Sequence, residues 1–227
     1  MQLKLILFVG QLTHFFYWLA LRTVILVRKI LSLPNYQPRR DVKVLLDGSK
    51  QARTENVLPF ILDNVTNVNC SILDIGSNLG FYSEFLAKNG AFVTGIEADF
   101  SSFVLSDFAA RYHKINNCAY YPLLLSPDNI DSLPRYDVVL LLNVFHHWCT
   151  SYGAFNGHKM LSSLWSKTNH KLILSINNAP KYRKAMGLNN DVSPEDWLSD
   201  FFFREQCSKI DFCGTAGRSL CAIYKPS

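Results

Sequence analysis

Two carboxylates, Asp74 and Glu97, flank a glycine turn in the stretch 70–99, which reads CSILDIGSNLGFYSEFLAKNGAFVTGIEAD. Gly76 and Gly80 let the backbone turn tightly and let a ligand approach where a Cβ would clash. A helix starting near Leu79 would point unpaired backbone N–H groups into the same space. Glu97, about twenty residues past the turn, stands where a carboxylate accepts the hydroxyl protons of a ribose. Asp74, at the tip of an apolar run, can bind an ammonium group or orient the glycine loop. A lone glycine pair would suit an ordinary crossover with a structural turn. The full spacing from Asp74 to Glu97 points instead to a nucleoside-type ligand.

These groups need a frame, and the hydrophobic pattern supplies one. Residues 72–75 read as a strand, 81–88 as an amphipathic helix closed by Asn89-Gly90, and 91–96 as a second strand ending at Glu97. That is a parallel βαβ unit with a crevice at the carboxyl ends of its strands. Ser101 or Ser102 then caps a helix running to about Ile115, whose stripe Phe103, Val104, Phe108 and Tyr112 reads as core packing. A third strand over 119–125 ends at Ser126-Pro127-Asp128. There Asp128 is either an acceptor for an adenine amine or a plain turn aspartate.

The run 136–142 is the most apolar strand and fits a central position buried on both faces. It ends in Asn143-Val144-Phe145-His146-His147-Trp148, an amide, imidazoles and aromatics at the end of the strand where open α/β sheets bind ligands. His146 and His147 are candidate general bases because imidazole titrates near neutrality. Consecutive helical residues diverge by about 100°, so at most one of them faces a substrate; a packing or capping role is the alternative for each. Tyr82, Phe145 and Trp148 are candidates for an apolar or cation-stacking wall, with core packing the alternative for Phe145. Further along, 160–166 continues as helix, 171–176 reads as a fifth strand, and 191–203 as a helix with Ser193 as N-cap and Pro194 at its first position. The segments 209–213 and 219–224 form a final antiparallel pair. No H-E-x-x-H motif or carboxylate cluster suggests a metal.

The chain has 227 residues and a formal net charge of +5, too mild to indicate nucleic acid. Its six cysteines include no C-x-x-C pair and read as reduced and structural. Between residues 5 and 27 the strongly polar residues are Gln11, His14 and Arg22. A helix of that length reaches about 34 Å, enough to span a hydrocarbon core. Arg28, Lys29, Arg39 and Arg40 follow it and place the remainder of the chain on the cytoplasmic side. An interfacial helix, or one packed on the domain or a partner, remains open. A cleaved signal peptide fits less well, because no small-x-small site follows the run. The expected organisation is a hydrophobic helix over 1–33, a linker over 34–53 with Pro34 and Pro38, and a domain over 54–227 opened by a helix that Thr54 caps.

With these residues assembled, the domain resembles the class I S-adenosylmethionine-dependent methyltransferases. ILDIGSNLGFYS resembles their glycine-loop motif, and YDVVLLLNVFHHW resembles their fourth-strand motif. Asn78 departs from the glycine found at the middle of many such loops, and asparagine tolerates the left-handed backbone required there. The resemblance implies a Rossmann-like, doubly wound α/β sheet of seven strands, mostly parallel with a C-terminal antiparallel hairpin. It also implies S-adenosyl-L-methionine as cofactor. Asp74 would then meet the methionine amino group, and Gly76, Ser77, Asn78 and Gly80 would line the cofactor. Glu97 would hold the ribose, Asp128 would reach the adenine, and Asn143 would lie beside the methionine. The acceptor expected from the N-terminal segment is small or lipid-like. An RNA or protein acceptor, and an inactive cofactor-binding scaffold, are the rival readings. A nicotinamide dehydrogenase is disfavoured because the turn lacks G-x-G-x-x-G spacing.

Overall fold

A computed structural model describes residues 57–65, 69–189, 191–215 and 218–226, together with Leu19 and Thr23. The expected hydrophobic helix over 1–33, the linker and the Thr54 cap therefore lie outside the described residues, Leu19 and Thr23 apart. Among the described residues, no helix is long and apolar enough to cross a membrane.

The strands are β1 (Ser71–Ile75), β2 (Phe92–Glu97), β3 (Cys118–Pro122), β4 (Tyr136–Leu142), β5 (Thr168–Asn177), β6 (Lys209–Thr215) and β7 (Arg218–Tyr224). Around them lie helix α1 over 57–64, then α2 (Phe81–Lys88), α3 (Phe100–Tyr112), α4 (Phe145–Ser166), α5 (Pro180–Ala185) and α6 (Pro194–Arg204). All seven strands join one sheet in the order β3-β2-β1-β4-β5-β7-β6. The first five pair in parallel, and β7 runs antiparallel between β5 and β6. From β1 the chain winds outward to β2 and β3, then returns to β4 on the other side of β1. This reversal opens a crevice at the carboxyl ends of β1 and β4.

Side-chain alternation explains the three layers. Leu73, Ile75, Val139, Leu141 and Leu174 turn to one face, where Phe145, Leu161 and Trp165 of α4 and Phe202 of α6 cover them. Ile72, Val138, Leu140 and Ile173 turn to the other, against Ile61 of α1, Leu86 of α2 and Ala110 of α3. Strand β4 is covered on both sides, which is why its sequence is a continuous apolar run. All six cysteines are free.

Several elements differ from the sequence reading. Helix α3 is capped by Asp99, not by Ser101 or Ser102; the Asp99 carboxylate accepts the Ser102 N–H at 2.8 Å and both serine hydroxyls at 2.7 Å. A carboxylate there satisfies an orphan N–H and meets the positive end of the helix dipole. Helix α4 runs from Phe145 to Ser166 and is broken at Gly153 (φ 83°, ψ 157°), a kink the sequence reading did not include. Strand β3 stops at Pro122, short of Leu125. Residues 180–185, between the predicted fifth strand and the helix over 191–203, form α5 with Pro180 in its first turn.

A single ring fills the room left by two glycines. Tyr120 of β3 is buried, and a Cβ on Gly95 would lie 2.5 Å from its Cδ1. A Cβ on Gly80 would lie 2.2 Å from its hydroxyl, which donates to the Gly80 carbonyl at 3.4 Å. Overpacking of this kind costs about 1–3 kcal/mol, and Gly95→Ala is expected to lose that much in a urea titration. Adding Tyr120→Leu should restore part of it, because the clash is with the ring itself.

Candidate active site

The glycine loop is built from left-handed backbone. Gly76, Asn78 and Gly80 have φ of 71°, 51° and 78°. Asparagine is among the few non-glycine residues that take such angles readily, which explains how Asn78 serves here. The Gly76 and Ser77 N–H groups donate to the Ile96 carbonyl at 2.8 and 3.1 Å, strapping the loop to the end of β2. A Cβ on Gly76 would lie 2.5 Å from Val144 Cγ2. The loop therefore passes directly against the turn that follows β4, and the two motifs singled out in the sequence meet.

Backbone donors fix Glu97. Its Oε2 accepts the Asn78 N–H at 2.7 Å and its Oε1 accepts the Asp99 N–H at 2.8 Å. A carboxylate has about four lone-pair sites, so each oxygen keeps capacity for a further donor. Burial raises the pKa of Glu97, and these two backbone bonds oppose the rise. Asp74 is buried at the tip of β1, and the Ser83 hydroxyl of α2 donates to it at 2.6 Å. Burial pushes its carboxyl up to about 6, with the Glu97 charge adding to the rise and the Ser83 bond opposing it.

Asn143 follows β4 with φ 61°, and its N–H meets the Ser175 carbonyl at 3.3 Å and hydroxyl at 3.0 Å. Strand β5 thus sets the posture of the residue expected beside the cofactor. Among the described residues, four buried side-chain atoms have no hydrogen-bond partner: Ser77 Oγ, Asn78 Oδ1, Asn143 Oδ1 and His146 Nδ1. An unsatisfied buried polar atom costs about 1–3 kcal/mol, so such atoms are rare in folded proteins. All four sit on the segments that follow β1 and β4, where the sheet order reverses. Polar atoms left open at that place are what a bound polar ligand would satisfy, and a nucleoside with an amino-acid tail fits the donor and acceptor set.

The histidine pair divides as helical geometry requires. His146 is 2% exposed, whereas His147 is exposed to solvent. The His146 ring centroid lies 4.4 Å from that of His147 and 4.2 Å from that of Tyr182 in α5. Burial holds the His146 pKa down to about 3, helped by the charges of His147, Arg218 and Lys181. His147 is lowered by burial and then by Lys181. At neutral pH His146 is an uncharged imidazole and a weak base.

The expected aromatic wall is taken up by the core. Phe145 is fully buried, stacked on His158 at 5.9 Å and on Trp197 at 5.6 Å between centroids. Trp148 is buried in the same cluster. Tyr82 is buried on the opposite face of the sheet, edge-on to Phe81. The reason is the rotation of α2 and α4, which turns these positions onto the strands. Asp128 is exposed in the loop after edge strand β3, which Asn129 shapes by accepting the Ser126 N–H at 2.8 Å and donating to the Leu124 carbonyl at 3.0 Å. Sequence reasoning missed Ser83, Asp99, Tyr120, Ser175, Tyr182 and Arg218. Only Asp99 carried a local signal, an acid three residues before Ser102.

The strand order, the glycine loop and the acid at the end of β2 define a Rossmann-like fold of the class I methyltransferase type. No family model matches the sequence, and no curated protein matches it. Solved structures do. The bifunctional kinase-methyltransferase WbdD superposes with a TM-score of 0.65 at 18% identity, over 86% of this chain and 46% of its own. Magnesium protoporphyrin IX methyltransferase (ChlM) from Synechocystis PCC 6803, with bound SAM, gives 0.58 at 18% identity over 77% and 79%. A putative O-methyltransferase from Nostoc punctiforme PCC 73102 gives 0.54 at 20% over 76% and 57%. ChlM has also been crystallised with SAH. The chain thus spans less than half the length of WbdD, and the shared property at these identities is the fold.

Proposed function

We propose that this chain is an S-adenosylmethionine-dependent methyltransferase. The observation that carries the reading is Glu97, pinned by the Asn78 and Asp99 N–H groups beside a loop whose Ser77 and Asn78 side chains have buried, unpartnered oxygens. The methyltransferase fold of the solved neighbours supports it. When bound, the cofactor supplies a methyl group already activated by a sulfonium. The protein's task is then alignment, exclusion of water and, where the acceptor needs it, removal of a proton.

In this reading Glu97 accepts the ribose hydroxyls and Asp74 accepts from the methionine ammonium. Ser77, Asn78 and Asn143 offer their open oxygens to the same ligand, and Gly76 and Gly80 keep side chains out of its way. Asp128 meets the adenine amine from the β3 loop. His146 and His147 stand on the acceptor side. Calorimetry on the full chain with S-adenosylmethionine and S-adenosylhomocysteine is the direct test, with micromolar binding of both expected. Absence of heat and of thermal stabilisation with either ligand would sink the reading.

The apolar run over 5–27 and the basic residues after it support membrane association, with the domain on the cytoplasmic side and a lipid-like or otherwise membrane-proximal acceptor. Tethering raises the local concentration of such an acceptor. Removing residues 1–33 is expected to release the protein from sedimented liposomes. A truncated chain that still sediments would rule out this anchor.

A further inference from the structure

We propose that the methyl acceptor presents an anionic oxygen, a carboxylate or a phosphate, to a seat formed by Lys181, Arg218 and Tyr182 beside His146. The inference rests on the methyltransferase reading and names the acceptor class of that same site.

Placement of charge is the first argument. Asp74, Glu97 and Asp99 gather where β1 and β2 end. The opposite half of the crevice, where β4 and β5 end, carries cations. Lys181 lies in the first turn of α5, which follows directly on β5. Arg218 opens β7 paired with Asn177, the last residue of β5. The loop after α5 is fastened by Arg183, which donates to the Asn189 and Val192 carbonyls at 2.7 Å, so Lys181 is carried on a braced element. Acids thus stand at the strand ends expected to hold an ammonium and ribose hydroxyls, and Lys181 and Arg218 stand beside the end of β5, on the side left for the acceptor.

The second argument is the cluster itself. The Lys181 ammonium lies 4.6 Å from the centroid of the Tyr182 ring, and that ring lies 4.2 Å from His146 and 5.8 Å from His147. His146 Nδ1 is buried without a partner. The groups around it are His147 on its own helix, Lys181 and Tyr182 from α5, and Arg218 from β7. The neighbouring acid, Glu195 of α6, accepts the hydroxyl of Ser219 next to Arg218.

The third argument is chemical. A hydroxyl or amine acceptor needs a base, and an imidazole held this far below its ordinary range is a weak one. An ionised oxygen needs none. Its lone pair forms the new O–CH3 bond while the S–CH3 bond breaks. The electron pair of that bond stays on sulfur, which becomes a neutral thioether, and no proton is released. An anion at this place also offsets the cations that depress His146 and offers its open ring nitrogen a partner.

The test follows the histidine ring signals of the full chain by NMR while phenyl phosphate, benzoate or benzyl alcohol is added. Both anions are expected to shift the His146 and His147 signals and raise the His146 pKa, and the neutral alcohol to do neither. Lys181→Gln is expected to weaken anion binding about tenfold and Lys181→Arg to retain it. Arg218→Gln should act like Lys181→Gln, and Lys181, being exposed, gives the arm that does not threaten folding. Tighter phenyl phosphate supports a phosphate acceptor and tighter benzoate a carboxylate. Benzyl alcohol binding as well as the anions, or anion affinity unmoved by both charge removals, overturns the inference. S-adenosylhomocysteine calorimetry on the same samples separates the two failures. Intact cofactor binding without anion binding overturns this inference alone. Intact anion binding without cofactor binding overturns the methyltransferase reading and leaves an anion site.

Discussion

Glu97→Ala is expected to weaken S-adenosylhomocysteine binding by about 100-fold, corresponding to roughly 3 kcal/mol for the loss of charge-assisted hydrogen bonds. Two effects add. The ribose hydroxyls lose their acceptor, and the Asn78 and Asp99 N–H groups that now meet the carboxylate at 2.7 and 2.8 Å lose theirs. Asn78 is held at a left-handed φ, so the loop proposed to line the cofactor loses part of what fixes it. Glu97→Gln separates these contributions. One amide oxygen can still accept a backbone N–H, but the amide nitrogen then faces the other donor. Its binding should fall between wild type and alanine, with thermal stability closer to wild type. Calorimetry and a melting curve on the three proteins read both effects. Alanine binding within a factor of about three of wild type would remove Glu97 from the site.

The sequence carried much of this architecture because each signal was local. The apolar run from Val138 to Leu142 announced a strand covered on both faces, and it is the strand flanked by β1 and β5. Gly76 and Gly80 announced a turn no other residue makes cheaply, and both have positive φ. Ser193 and Pro194 announced the start of α6, where Ser193 accepts the Asp196 N–H at 2.9 Å. What stayed hidden depends on contacts between distant segments. Tyr120 fits the hollow of Gly80 and Gly95 because β3 pairs with β2, and nothing in its own neighbours says so. Phe145 and Trp148 looked like substrate residues because they follow a strand end. The rotation of α4 decides instead, and it turns them into the core.

The same distinction governs the histidines. The adjacent pair showed that at most one could face the crevice, but not which. Packing against α5 buries His146 against Tyr182 and leaves His147 in solvent. Helix α5 was itself hidden because it is six residues long and bears no buried side chain, so no apolar period marks it. Its placement is what brings Tyr182, with Lys181 over its ring, against His146.

Asp74→Asn is expected to make the ligand-free protein more stable and the cofactor complex weaker. The carboxyl stands at about 6 in the folded chain against an ordinary value of 3.8, with burial the largest cause. Between those values the folded protein keeps a proton that the unfolded chain has released. The stability this group contributes therefore falls as pH rises from about 4 to about 6, and above that the buried carboxylate costs roughly 3 kcal/mol. Asparagine retains an oxygen to accept from Ser83 and carries no charge. Its own amide must be desolvated, so the expected net gain at neutral pH is about 1–2 kcal/mol, or roughly 2–8 °C in Tm. Below pH 4 the two proteins should melt alike. Glu97 is raised as well, so the difference between variant and wild type isolates Asp74 better than the wild-type profile alone. Ligand binding moves the other way. An ammonium beside Asp74 favours the ionised form, so wild-type affinity should fall as pH drops below about 6 and binding near that pH should release a proton. Calorimetry in two buffers of different ionisation enthalpy measures that proton. The variant should release none and bind about tenfold more weakly at neutral pH. A variant that binds normally, or that melts below wild type at neutral pH, would mean that Asp74 serves the glycine loop and not the ligand.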